Sequence, residues 1–185
     1  RQLTTYINAA GSGDLVAMEA TADYVLGQIP WPKETIVSYV VSDDRKAISV
    51  DVDLPDEGDT PRTTAEVSAK ADKLLYKKRS DAQVRKDFVA LCYGSIFRVA
   101  GELFAALPSI SSCTVSGYIQ RRDAATGAEV EDYIISVVIE RGEWSKIAFD
   151  SLDMIDPAAT LKRFNARVSL DRSSVFKPIE PFGAG

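Results

Sequence analysis

Histidine is absent from all 185 residues. Its absence excludes Ser-His-Asp and Cys-His triads, histidine-ligated zinc and haem, and any imidazole pH switch. Cysteine is nearly absent: Cys92 and Cys113 stand alone in apolar stretches, and neither belongs to a C-x-x-C pair. That pattern predicts two reduced core thiols, as in a cytoplasmic protein, and no disulfide framework. No uninterrupted apolar run approaches the ~18 residues of a membrane span. No signal-peptide pattern follows the first residue, Arg1. A chain that opens on arginine is expected to be a processed or excised part of a longer protein, whose upstream residues could carry an activity. An excess of positive charge is also lacking, since 22 Lys and Arg stand against 27 Asp and Glu, a net charge of −5. A surface of that sign is not built to coat itself with nucleic acid, because such binding rests on neutralising phosphates.

The composition that remains is globular, with 45% hydrophobic and 26% charged residues. The length predicts a single domain over residues 1–185 that buries about 70% of the surface of the unfolded chain. Residues 1–32 read as an N-terminal helical appendage and 171–185 as an irregular tail. Gly11-Ser12-Gly13-Asp14 caps a first helix, and Leu15, Met18, Ala22, Val25, Leu26 and Ile29 recur at helical spacing. Pro30-Trp31-Pro32 ends it. A hairpin follows, with strands at 35–41 and 47–54 about a turn at 42–46. Ile48, Val50, Val52 and Leu54 alternate on one face, with Ser49, Asp51 and Asp53 on the other.

Residues 62–79 fit two descriptions. Val67, Ala71, Leu74 and Leu75 suit a helix begun near Thr63, whereas Leu74-Leu75-Tyr76 suits a short strand. Residues 81–107 predict one long, mostly buried helix, opened by the capping-box sequence Ser80-Asp81-Ala82-Gln83. Gly94 and Gly101 lie two turns apart on it and predict that another backbone, a crossing sheet, approaches there. A second hairpin is expected at 113–122 and 130–141, with Tyr133, Ile135, Val137 and Ile139 sharing one apolar face. A further strand is expected at 146–149, and Asp156-Pro157 opens a short helix. The fold class is therefore α+β: two antiparallel hairpins form a sheet packed on the long helix, with helices at both ends.

Five segments taken together carry a resemblance: Ile29-Pro30-Trp31-Pro32, Asp51-Val52-Asp53-Leu54-Pro55, Phe97-Arg98-Val99-Ala100-Gly101-Glu102, Val115-Ser116-Gly117-Tyr118 and Phe176-Lys177-Pro178-Ile179. In these the chain resembles an uncharacterised bacterial domain of unknown function, found as the C-terminal part of proteins with a small, separate N-terminal domain. The resemblance implies an intracellular bacterial protein and a missing N-terminal module. It brings no catalytic signature and no site residues.

Among chemistry-bearing residues, Asp51 and Asp53 stand two apart on a strand, so both carboxylates leave the same face about 7 Å apart. Such a pair could hold Mg²⁺ or Mn²⁺ for phosphodiester chemistry. A third ligand would have to come from the loop acids Asp43, Asp44, Asp56, Glu57 and Asp59. The plainer reading is the solvated face of an edge strand. Residues 43–59 carry a charge of −5. Residues 70–86 hold seven cations, Lys77, Lys78 and Arg79 among them, against Asp72, Asp81 and the bordering Asp87. That run is the candidate contact for RNA, DNA or an acidic protein. Arg121, Arg122 and Arg141 could meet at one end of the second hairpin as an anion site. The plainer reading there pairs Arg121 with Glu129 or Glu131. Trp31 and Trp144, each beside a chain break, could anchor a partner or pack at the core edge.

Three expectations follow. The first is a non-enzymatic interaction module without a cofactor, docking on a protein partner or on itself. The second is a Mg²⁺- or Mn²⁺-dependent phosphodiesterase or nuclease using Asp51 and Asp53. The third is a nucleic-acid-binding module using the basic segment 70–86. No membrane partner is expected.

Overall fold

The computed structural model describes residues 9–68 and 73–183. The expectations that fall on Lys70, Ala71 and Asp72 lie outside the described residues, as do the chain start and the last two tail residues. The elements are α1 (Leu15–Gly27), β1 (Val37–Val41), β2 (Ala47–Asp53), β3 (Thr63–Val67) and β4 (Leu74–Lys78). They continue with α2 (Asp81–Ala106), β5 (Ser112–Arg122), β6 (Glu129–Glu140), α3 (Arg141–Trp144), α4 (Pro157–Leu161) and β7 (Asn165–Val168).

The main sheet is mixed and five-stranded, in the order β1-β2-β5-β6-β7. Its neighbours are antiparallel except β2 and β5, which run parallel. Parallel neighbours cannot be joined by a tight turn. The connection from Leu54 to Ser111 therefore carries a two-stranded ribbon (β3–β4) and the whole of α2. Ile48, Val50 and Val52 stand in register with Cys113, Val115 and Gly117, which in turn face Ile139, Val137 and Ile135. This face is buried against α2 through Cys92, Ile96, Val99 and Leu103, and α1 adds Met18, Ala22 and Leu26. Both cysteines are free, and both are wholly buried in this core.

Local chemistry explains the helix limits. The Asp14 side chain accepts from Ala17 N at 2.8 Å and opens α1. The Ser80 hydroxyl accepts from Gln83 N at 3.2 Å and opens α2, and Pro108 stands just beyond its end. By length and composition α2 is apolar enough to cross a membrane. Its apolar residues are interrupted by polar ones, which is why no uninterrupted run shows in the sequence.

Several expectations need correction. Residues 63–67 form a strand, not the start of a helix, because they pair with 74–78 as a ribbon. Residues 146–149 are not a strand, since β6 passes straight into α3 and a 3-10 segment follows at Phe149–Met154. The seventh strand is Asn165–Val168, hydrogen-bonded to β6. No sheet crosses α2 at its glycines: a Cβ at Gly94 would meet open space, and one at Gly101 would meet the Trp144 ring at 3.6 Å. The close approach lies instead at Gly117, where a Cβ would overlap the Leu54 and Ile135 side chains.

One irregularity shapes the rest of the surface. Gly117 pairs with Ile135 but Tyr118 pairs with Tyr133, so Ile134 is an extra residue, a β-bulge. Beyond it every β6 side chain changes face. Tyr133, expected beside Ile135, stands instead across from Tyr118, with ring centroids 5.5 Å apart.

Candidate functional site

The sheet face opposite α2 is polar. In register across it run Asp51, Ser116, Ser136 and Arg167. Ser116 and Ser136 share a buried hydrogen bond of 2.8 Å. Asp53 aligns with Tyr118 on the same face. The two aspartates therefore do share a face, but β2 lies between β1 and β5, so the edge-strand reading fails. Asp51 is half-buried and lies beside the Tyr133 hydroxyl. Asp53 is only 5% exposed, and its Oδ1 is buried without a hydrogen-bond partner. Burial raises both carboxyls above the ordinary range. For Asp53, Lys33 opposes the shift while Asp56, Asp59 and Glu129 add to it. Burial likewise pushes the Tyr118 phenol up to about 12.

The loop acids do not complete a ligand set around this pair. Asp44 closes the β1–β2 turn by accepting from Ser42 Oγ and Lys46 N. Asp56 and Asp59 flank Lys33 at 4.0 and 3.7 Å. Glu57 lies 3.9 Å from Arg62. Among the described residues, no three acidic or cysteine side chains group closely enough to hold a metal ion. The C-terminal tail crosses the same face: Phe182 N donates to Ser136 Oγ at 3.0 Å, and Arg167 stacks on the Phe182 ring at 3.9 Å. Ile179 N donates to the Tyr133 carbonyl at 2.8 Å, whereas the earlier part of the tail lies on the α2 side, where Phe176 meets the Phe88 ring edge-on at 5.8 Å.

The three arginines do not meet. Antiparallel pairing sets Arg122 opposite Glu129 but Ser112 opposite Glu140, so Arg121 and Arg122 lie at one end of the β5–β6 hairpin and Arg141 at the other. Arg121 pairs with Asp132, not with Glu129 or Glu131. The bulge at Ile134 is the cause, because it slides the register by one and brings Asp132 to the face of Arg121. Arg141 gives its whole guanidinium to the end of α2, donating to the carbonyls of Phe104, Leu107 and Ile110 at 3.0, 2.6 and 2.6 Å. Among them the Phe104 carbonyl has no helical donor, because Pro108 stands four residues on and lacks an N–H.

Lys77, Lys78 and Arg79 sit on or beside the ribbon. Arg79 pairs with Asp87 and Lys77 with Glu66 across the two strands. Register places Ala65, Val67, Leu74 and Tyr76 on one face, with Thr63 and Lys78 at its base. Every residue of both strands is exposed, Tyr76 to 72% and Val67 and Leu74 each by more than half. A two-stranded ribbon of this size is at best marginally stable in water on its own.

A second feature, unheralded by any sequence motif, is a cleft of about 670 Å³ at the far end of α2. Phe97, Phe104, Trp144 and Phe149 form its aromatic wall, and Leu152 and Ile155 close it from the 3-10 segment. Trp144 is buried at its centre, 4.9 Å from the Phe97 ring and 5.5 Å from those of Phe104 and Phe149. Leu152 is half exposed, and the adjoining Met154 is 82% exposed. Trp144 is thus a core-edge residue that lines a surface depression, while Trp31 is partly buried against the core. The aromatics come from α2, α3 and the 3-10 segment, so no local sequence motif could have shown the cleft.

No protein-family model matches the chain, and no curated protein matches it.

Proposed function

We propose that this domain is a non-enzymatic binding module of an intracellular bacterial protein, and that the β3–β4 ribbon is its docking element. One observation carries the reading. The ribbon presents Val67, Leu74 and Tyr76 together on a face that nothing in the described chain covers. Apolar side chains held in that array lose free energy when water is removed from them, at about 25 cal/mol per Å². A two-stranded ribbon also gains the packing surface it lacks. Lys78 on that face makes no ion pair among the described residues and favours an acidic protein surface, whereas Lys77 and Arg79 are already held by Glu66 and Asp87.

The test uses the double substitution Leu74→Ser with Tyr76→Ser, at positions exposed enough to leave the fold intact. The wild-type chain is expected either to self-associate in light scattering or to retain a stoichiometric protein partner, and the double variant to do neither. A variant that associates as the wild type does would overturn the reading.

A second reading has one observation in its favour, the buried and unpartnered Asp53 Oδ1 beside Asp51. On it, Asp51 and Asp53 hold Mg²⁺ or Mn²⁺ and polarise a phosphodiester.

A further inference from the structure

We propose that the ribbon seats in the aromatic cleft of a second copy of this chain, so that two copies exchange ribbons reciprocally. The inference rests on the ribbon being a docking element and names what it docks on. Both surfaces belong to one chain, both are apolar, and neither has a partner among the described residues.

Their charges are complementary. From Arg62 to Arg79 the described residues hold five cations, of which Arg62, Lys77 and Arg79 are paired with Asp81, Glu66 and Asp87, while Lys73 and Lys78 make no ion pair among the described residues. The cleft wall from Phe149 to Pro157 holds Asp150, Asp153 and Asp156 and no cation. The two basic groups that line the cleft are already engaged. Arg98 faces Glu102 at 3.5 Å, and Arg141 is bound to three carbonyls. Asp150 and Asp153 are exposed and make no ion pair among the described residues. Leu74 and Tyr76 supply the apolar side chains for the aromatic wall. Lys78, on the same ribbon face, and Lys73, at its outer end, supply the cations for the rim.

The placement of the two surfaces favours a second copy over self-docking. The ribbon joins α2 at Ser80, whereas the cleft begins at Phe97, about 26 Å further along at 1.5 Å per residue. Two copies with their long helices antiparallel set each ribbon over the other's cleft. This arrangement repeats one contact twice and closes on itself, as a two-fold dimer must.

The experiment is sedimentation velocity from low to high micromolar concentration, at low and high salt. It compares the wild type with a ribbon variant (Leu74→Ser with Tyr76→Ser) and a cleft variant (Leu152→Ser with Met154→Ser). The wild type is expected to dimerise, and more weakly as salt rises. Each variant is expected to weaken the dimer roughly tenfold or more. An equimolar mixture of the two variants keeps one intact ribbon-and-cleft contact, so it is expected to associate more tightly than either variant alone. Tyr76→Cys mixed with Leu152→Cys should give a mixed cross-linked pair with a short bis-maleimide, since the native cysteines are buried. A wild type that stays monomeric throughout overturns the proposal. A dimer weakened by the ribbon variant alone, or cross-linked from Tyr76→Cys to itself, also overturns it but leaves the ribbon as a docking element. A dimer that neither variant weakens overturns both readings. Retardation of DNA or RNA by the wild type, lost in the ribbon variant and without self-association, assigns the ribbon to nucleic acid instead.

Discussion

Asp53 is the residue whose chemistry is most constrained by its surroundings. It is buried, one carboxylate oxygen has no partner, and burial raises its pKa. A carboxyl that is harder to ionise folded than unfolded destabilises the fold as pH rises. Between the two pKa values the native state holds the proton that the unfolded state has released. Asp53→Asn removes that penalty. Its melting temperature should exceed that of the wild type at neutral pH, and the difference should fade below about pH 4, where both states are protonated. The same melts decide the metal reading. If Asp51 and Asp53 hold a divalent cation, Mg²⁺ or Mn²⁺ raises the wild-type midpoint and leaves Asp53→Asn unmoved. A wild-type midpoint that does not respond removes that reading. The sequence told that these two aspartates share a face, because alternation along a strand is local. It could not tell that the face is half covered, because β5, Tyr133 and the tail reach it from more than 60 residues away along the chain.

At the scale of elements, α2 depends on a residue far from it in sequence. Arg141 holds the carbonyls of Phe104, Leu107 and Ile110. Arg141→Gln takes the guanidinium from the carbonyls of Phe104 and Ile110, while Leu107 keeps the Ile110 amide, and it should lower unfolding free energy by about 2 kcal/mol in urea titration. An unchanged midpoint would mean that water replaces the guanidinium at no cost. α1, β1, β2, α2 and the β5–β6 pair were legible because capping residues, prolines and hydrophobic periodicity all act over a few positions. The helical alternative for residues 62–79 arose because Val67, Leu74 and Leu75 fit that spacing almost as well as a ribbon. Only the pairing of Thr63–Val67 with Leu74–Lys78 separates the two. The bulge at Ile134 was invisible for a related reason. It exists only in the register between two strands, and it moved both Tyr133 and the partner of Arg121.

At the scale of the whole molecule, the chain divides into a packed body and one appendage. The body is a five-stranded sheet with α2 and α1 on one face, and the tail runs from Phe176 on the α2 side to Phe182 on the other. The appendage is the ribbon, which shares none of that core. The proposed function and the proposed dimer both require the ribbon to be weakly held in a lone copy and covered in the working assembly. Amide hydrogen exchange reads this residue by residue. In dilute solution the amides of Thr63–Val67 and Leu74–Lys78 should exchange far faster than those of β5 and β6. As concentration rises into the associating range, protection should appear on the ribbon and along 149–155 together. Ribbon amides as protected as the central strands in dilute solution, or unprotected at every concentration and in every complex recovered, would contradict the account.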